Sequence, residues 1–473
     1  MKISKKSIAA ISHDYSLRFD VKYLTEYENN QGNIYNYKYL FEIVDSNNKV
    51  YLDMEIPFKY AEIGNVNKFG EVFPNELQLS NRNELNEDLF KKIEKGDIFK
   101  PQNGNILIST IRPYLKKILY INEDALEDYT DIYFTKAFIE IKPKINNKIL
   151  YYALRTIFIE KVNSVSRQGK GYPILKSEDL KRLSFPKKKI DYLVRHESRL
   201  IKEINKIEKE ISILKSKMIS KKDIIDNFLS KEFLIDLDII NDIEKNFRIN
   251  VSKSSISNKN RGLRFSFRWN KMREIQKNIY LGLDNIQQLG KYIVQTNNGW
   301  SPQSVIGGEG TPILGQEHFN FEGKIDLNPV KFTLITRNDI EKFYINKGDF
   351  FVSRGNTVDL VGLAGVVEDD VEENIIYPDL YIRVKFNENI NPKYIAIIFN
   401  SFIGRLYFKY VSKGKNQSMV KISKDELNNF YLPIPSIDQQ NEIVNNIEIL
   451  LAQQNDYLSK IESKYEEIAN LFN

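Results

Sequence analysis

Between Lys187 and Ser230, apolar residues recur in steps of four and three: Leu200, Ile204, Ile207, Ile211, Leu214, Met218, Ile225 and Phe228, with Lys221 in the one polar slot. A repeat near 3.5 residues is a coiled-coil seam, and the lack of Gly or Pro beyond Pro186 predicts one long helix. Such a helix is unstable alone in water, because its stripe needs a partner stripe to bury. The last stretch, Ile437 to Asn473, supplies one, with Ile443, Ile447, Leu450, Gln454, Tyr457, Ile461, Lys464, Ile468 and Leu471 at the same spacing. Charge favours the pairing. Lys187 to Lys222 holds 12 Lys/Arg against 5 Asp/Glu, whereas Ile437 to Asn473 holds 2 against 7. Flanks of opposite sign favour each other over self-association. The alternative is that each helix packs on its own neighbouring domain as an ordinary amphipathic helix.

The remaining pattern repeats. Leu17-Arg18-Phe19 has a counterpart in Leu263-Arg264-Phe265, and Lys95-Gly96-Asp97-Ile98-Phe99 in Lys347-Gly348-Asp349-Phe350-Phe351, each of the latter a turn delivering an apolar strand. Ile108-Ser109 and Val352-Ser353 follow. Asp131-Ile132-Tyr133 matches Asp379-Leu380-Tyr381, and both lead through a strand-like run to Pro143 and Pro392 and then to one short helix, Tyr151 to Ile159 or Tyr394 to Leu406. Leu175-Lys176-Ser177-Glu178-Asp179-Leu180 through Phe185-Pro186 to Ile190-Asp191 aligns without gaps on Ile422-Ser423-Lys424-Asp425-Glu426-Leu427 through Leu432-Pro433 to Ile437-Asp438, an offset of 247. Five matches in order, each half ending in a long helix, describe a tandem duplication. The expected organisation is an α/β domain at 1–186, a long helix at 187–233, a polar linker at 234–260, a second α/β domain at 261–435 and a second long helix at 436–473.

Composition narrows the chemistry. A chain of 473 residues that is 42% hydrophobic and 12% aromatic can build real cores. It has no cysteine, which excludes disulfides, thiolate metal sites and a cysteine nucleophile, and its three histidines, His13, His196 and His318, are scattered. The N-terminal apolar run is too short for a signal peptide and no window is long enough to span a membrane, so a soluble, cytoplasmic protein is expected. A net charge of +6 permits an acidic partner such as nucleic acid.

The loops, unlike the strands and helices, differ between the halves. The first half carries Arg112, Tyr114, Lys116 and Lys117 in one loop and Arg167, Gln168, Lys170 and Tyr172 in another. The second carries Trp300 and Gln303, then Arg354 and Asn356, then Lys413, Lys415, Asn416 and Gln417. Arg and Lys suit phosphates or guanine edges, Asn and Gln suit adenine edges, and the neighbouring glycines allow close approach, so these are the candidate DNA-binding residues. Any one loop alone reads as solvated surface; recurrence at matched places favours binding. Asp131, Glu140 and Lys142 have the loose spacing of a metal-dependent nuclease. The second half has Arg383-Val384-Lys385 there, and Ile139 to Lys142 alternates like a half-buried strand, so a structural role is expected. Gly307-Gly308-Glu309-Gly310 lacks the lysine of a phosphate-binding loop. No catalytic, metal-binding or cofactor-binding residues are assigned.

With its paired halves and helices, the chain resembles the specificity subunits of type I restriction-modification systems over essentially its whole length. The local resemblance lies in Gly414, Ile422, Leu427, Pro433-Ile434-Pro435, Gln439-Gln440 and Ile443, and in Ser109 with Arg112-Pro113. The first junction, Phe185-Pro186-Lys187-Lys188, departs from the pattern: the second proline and the glutamines are missing. The resemblance implies two tandem α/β target-recognition domains, each followed by a long helix, the two helices forming an antiparallel coiled coil. It implies a non-catalytic subunit that reads double-stranded DNA. Two modification subunits would bring S-adenosylmethionine, and restriction subunits would bring ATP hydrolysis with its Mg. The helix-pairing residues would be Leu200, Ile204, Ile207, Ile211 and Leu214 with Ile443, Ile447, Leu450, Ile461 and Ile468. A nuclease or methyltransferase with a fused specificity region is the alternative, although no Asn/Asp-Pro-Pro-aromatic motif is present. A coiled-coil scaffold leaves the basic, aromatic loops unexplained.

Overall fold

A computed structural model of the chain describes residues 33–44, 50, 52–53, 55–79, 87–123, 128–168, 172–245, 257–258, 262–263, 267–283, 285–416 and 419–473. The Leu-Arg-Phe match lies outside the described residues except for Leu263. The architecture is mixed α/β. It divides into two compact units, one of Met1–Lys217 with Tyr457–Asn473 and one of Met218–Asp456.

The first unit is built on an antiparallel sheet in the order Phe41–Ile43, Phe138–Pro143, Ile106–Ser109, Ile118–Tyr120. The second has Ile293–Asn298, Tyr381–Phe386, Phe350–Ser353 and Ala364–Val366 in the same order. Ile106–Ser109 and Phe350–Ser353 are buried at every position, which is why both read as continuous apolar runs and not as alternating ones. A separate antiparallel pair, Ile34–Asn36 with Ser184–Pro186, brings the chain to its helical stretch in the first unit. Ile286–Gln288 with Tyr431–Pro433 does so in the second.

The helices differ from expectation in three ways. After each sheet come two helices where one was expected: Asn147–Arg155 and Ile159–Val165, then Pro392–Asn400 and Phe402–Val411. Thr156 leaves the helical region in the first case, and in the second Ser401 starts a new helix by accepting from Ile403 N–H. The stretch 187–230 is three helices, Lys187–Arg195, Glu197–Lys215 and Lys221–Glu232. Its main break, at 216–220, is stabilised locally: Ser220 caps the third helix through Asp223 N–H, and the buried Gln454 side chain accepts from Ile219 N–H at 3.0 Å. The C-terminal stretch, in contrast, is one helix, Ile437–Asn470. Finally, the expected linker contains a helix, Leu237–Lys245, because Ile240 joins Met272, Ile275 and Ile279 in the second unit's core and Asp236 accepts from Asp238 N–H at 2.9 Å.

Along both stretches the seam faces inward. Leu200, Ile204, Ile207 and Ile211 are buried, as are Ile443, Ile447, Ile461 and Ile468, whereas Leu214 and Leu450 are half-buried. Ile224, Ile225 and Leu229 share the second unit's core with Ile443, Val444, Ile447 and Leu451. Within the first unit, Lys189 Nζ donates to the Phe472 carbonyl at 3.0 Å and Lys464 pairs with Glu210 at 2.8 Å.

Candidate nucleic-acid interface

In the first unit, two loops meet beyond the end of strand Ile106–Ser109. Ile111 bridges Ile174, Leu175 N–H donates to the Thr110 carbonyl at 2.8 Å, and Arg112 N–H donates to the Pro173 carbonyl at 3.0 Å. The first loop turns through Pro113–Leu115, flanked by Arg112 and Lys116 at φ 50 and 56. Left-handed backbone is unfavourable for residues with a Cβ, and such positions concentrate at functional sites. The turn leaves Arg112, Tyr114, Leu115 and Lys116 exposed, with the Arg112 guanidinium 5.2 Å from the Tyr172 ring centroid. Lys117 turns inward to the Ile63 carbonyl at 2.7 Å; burial, and then the neighbouring Arg112 charge, lowers its pKa.

In the second unit three loops converge. The Ser301 hydroxyl bonds the Asp379 carboxylate and accepts from Asp379 N–H at 3.0 Å, while Arg354 donates from N–H to the Leu380 carbonyl at 2.7 Å and from Nη1 to the Asp379 carbonyl at 3.3 Å. Gly355–Asn356 then pairs with Met419–Lys421, which pairs with Lys413–Asn416. Trp300 stands 5.3 Å from the Arg337 guanidinium and 6.0 Å from the Phe343 ring. Gln303 is exposed. Asn356 donates to Gln316 Oε1 at 3.3 Å, and Gln316 also donates to the Leu380 carbonyl at 3.1 Å, so it ties the loops together.

Two candidates have work within the fold. Arg167 Nε donates to both oxygens of the fully buried Asp179, at 2.7 and 3.0 Å, and Lys413 pairs with Glu426 Oε1 at 2.7 Å. Each carboxylate also accepts a backbone N–H at the start of its short helix, from Lys176 at 3.0 Å and from Ser423 at 2.9 Å. The carboxylates occupy matched places in the two halves, but only the Arg167 pair rests on a fully buried group; the Lys413 side chain is 69% exposed. Burial acts to raise the Glu426 pKa, and the hydrogen bonds from Lys413 and Ser423 outweigh it. Lys170 and Gln417 lie outside the described residues, and for Gln168, Lys415 and Asn416 only the backbone strand is described.

Sequence reading passed over Arg337 and Gln316, because the first lies in a charged loop with no counterpart and the second is an isolated amide. The nuclease-like spacing has a structural explanation. Glu140 is buried and accepts from Gln102 N–H at 2.8 Å and Asn105 Nδ2 at 2.7 Å, and Asp131 pairs with Lys100 at 3.1 Å. Among the described residues, no group of three or more His, Asp or Glu could hold a metal ion, and no helix is long and apolar enough to cross a membrane.

Comparison with known proteins adds a sequence relationship. Over 180 residues the chain is 25% identical to the specificity subunit of the type I restriction enzyme EcoKI of Escherichia coli (strain K12), a match covering 38% of each protein. Over 151 residues it is 24% identical to the EcoBI specificity subunit of Escherichia coli, covering 32% of this chain and 31% of that one. The chain is similar to type I restriction specificity subunits. Each match spans under two-fifths of the length of these specificity subunits. A crystal structure of the HsdS subunit from Thermoanaerobacter tengcongensis aligns over 93% of this chain and 94% of its own at 15% identity, with a TM-score of 0.32. No family model matches the chain.

Proposed function

We propose that this chain is the DNA specificity subunit of a type I restriction-modification complex, with residues 1–186 and 261–435 as two recognition domains and the helices of 187–233 and 436–473 paired antiparallel. Each domain reads one half-site of a bipartite, asymmetric target. The observation that carries this reading is the recurrence of one arrangement: in each half, the loop after the central strand meets a basic loop beyond the second helix, with Arg112, Tyr114 and Lys116 exposed at the first junction, and Arg337 and Lys413 exposed beside the half-buried Trp300 and Arg354 at the second. The relatives' names agree with it. Loops that differ between the halves imply half-sites that differ in sequence.

On this reading the chain catalyses nothing itself. It docks two modification subunits, which bind S-adenosylmethionine, and restriction subunits, which use ATP and Mg, in the cytoplasm. The purified chain should therefore neither cleave nor methylate DNA; metal-dependent cleavage abolished by Glu140→Ala with the fold intact would overturn the proposal. Methylome sequencing of cells with and without the gene tests it in place. Loss of one methylated, bipartite motif on deletion is the expected result, and an unchanged methylome contradicts it.

A further inference from the structure

Each unit contains a tight hairpin starting at an asparagine: Asn67 to Glu71 in the first, Asn320 to Lys324 in the second. Both close with the same bridge, Val66 to Val72 and Phe319 to Ile325. Asn67 Oδ1 accepts from Phe69 N–H at 2.8 Å and Glu71 N–H at 3.0 Å, and Asn320 Oδ1 accepts from Lys324 N–H at 3.0 Å. Gly70 and Gly323 sit at φ 78 and 74. A Cβ on Gly70 would stand 2.2 Å from Arg155 Nη1, so only glycine fits there.

From behind, a buried polar side chain at the end of the first helix holds each hairpin. Arg155 donates to the Phe69 carbonyl, to the Lys68 carbonyl at 2.6 Å and to the Ile118 carbonyl at 3.5 Å. Asn400 Nδ2 donates to the carbonyls of Asn320 at 3.1 Å, Phe321 at 3.4 Å and Ala364 at 2.8 Å. The opposite side of each hairpin meets a helix. Glu71 accepts from Lys215 Nζ at 2.6 Å and from the Tyr465 hydroxyl at 3.0 Å, and the Phe69 ring stacks on Tyr465 at 4.7 Å. Glu322 pairs with Lys221. Lys215 ends the helix before the 216–220 break, and Lys221 begins the helix after it.

We propose that the two hairpins fix the recognition domains on the helices, and that Glu71 and Glu322 are positioning residues that set the spacing between half-sites without touching DNA. The proposal rests on the bipartite reading above. Its physical basis is that a half-buried carboxylate held by an ammonium, and at Glu71 also by a phenol, is oriented by those charge-assisted hydrogen bonds. A glutamine at position 71 keeps the volume and one acceptor oxygen for Lys215 and Tyr465, but it loses the negative charge and turns an amide N–H against Asn67 Nδ2, which donates to the other carboxylate oxygen at 2.6 Å, so the orientation is weakened.

The test is target selection from DNA with randomised half-sites and spacers of every length, using the full chain with its modification partner. In Glu71→Gln both half-site sequences should persist, while the preference for the best spacer over its neighbours falls about tenfold, the scale of one charge-assisted hydrogen bond. Tyr465→Phe, which removes one hydroxyl, should broaden the spacer less and serves if Glu71→Gln does not fold. Glu322→Gln should act in the same direction but less, because the Lys221–Glu322 pair is more exposed to solvent than the Lys215–Glu71 pair. A spacer profile unchanged in all three, or binding reduced equally for every spacer, overturns the proposal. A wild-type chain that selects no bipartite site overturns instead the function on which it rests.

Discussion

Arg112 and Lys116 hold left-handed backbone on either side of a three-residue turn, and neither is glycine. That conformation costs about 1–2 kcal/mol per residue for side chains with a Cβ. Lys116→Gly should therefore leave stability within about 1 kcal/mol of wild type, or raise it, because relieved strain offsets the greater freedom of the unfolded chain. DNA affinity should fall and its salt slope should shrink, since a phosphate-reaching cation is gone. A thermal melt and a salt titration of binding separate the two effects; unchanged affinity and slope would remove this loop from the interface. Arg112→Ala should weaken binding by about 1–3 kcal/mol if the guanidinium reads a base. Arg167→Ala should act differently. It leaves the buried Asp179 with fewer donors, so it should destabilise the fold by about 1–3 kcal/mol, tempered by Arg182, whose Nη1 remains at 3.1 Å. Full thermal stability with lost base specificity would reverse that assignment. The same residue scale gives a pH signature for Glu71. Burial acts to raise its pKa, but Lys215, with hydrogen bonds from Asn67 and Tyr465, holds it below the ordinary 4.5. A carboxylate with a lowered folded pKa stabilises the fold above its unfolded pKa and loses that contribution as pH falls through the folded value. The stability gap between wild type and Glu71→Gln should thus be full at neutral pH and close below about pH 4.5; a constant gap down to acid unfolding would contradict it.

At the scale of elements, the central sheets and the end of each half were legible because they carry ungapped signals: the apolar runs Ile106–Ser109 and Phe350–Ser353, and the Phe185-Pro186 and Leu432-Pro433 junctions. The break at 216–220 was not legible, because Met218 and Ile225 continue the seam across it and a single capping serine is a weaker signal than the period. Gln454 looked like one polar interruption of a heptad, yet its partner is a backbone N–H exposed by that break. The paired hairpins were hidden for another reason. They share only asparagine and glycine, and their last positions carry opposite charge, Glu71 against Lys324. The candidate interface was legible as loops but not as residues. An Arg held by a buried carboxylate has the same sequence appearance as one that is free to face DNA, and Asp179 lies about a dozen positions away from Arg167, in a short helix. Gln454→Leu probes the element scale directly. It should leave Ile219 N–H unsatisfied and destabilise the chain by about 1–3 kcal/mol, where a Leu in an uninterrupted seam would stabilise it.

For the whole molecule, the proposed role of the helices is to set the distance between two half-sites. One heptad inserted into each of Glu197–Lys215 and Ile437–Asn470 keeps the seam in phase and adds about 10.5 Å at 1.5 Å per residue. That is close to 3 base pairs at about 3.4 Å each, so the preferred spacer should grow while both half-site sequences stay the same. Binding should also weaken, because the added base pairs rotate one half-site around the duplex. The central claim, one recognition domain per half-site, is tested most directly by selecting targets for three proteins with their modification partner: wild type, Arg112→Ala with Tyr172→Ala, and Trp300→Ala with Arg354→Ala. The wild type should select two different short sequences separated by bases that are not read. Each double variant should relax one of them, a different one in each case, and leave the other and the spacer unchanged. A continuous or palindromic target, or one half-site altered by both variants, would contradict the account.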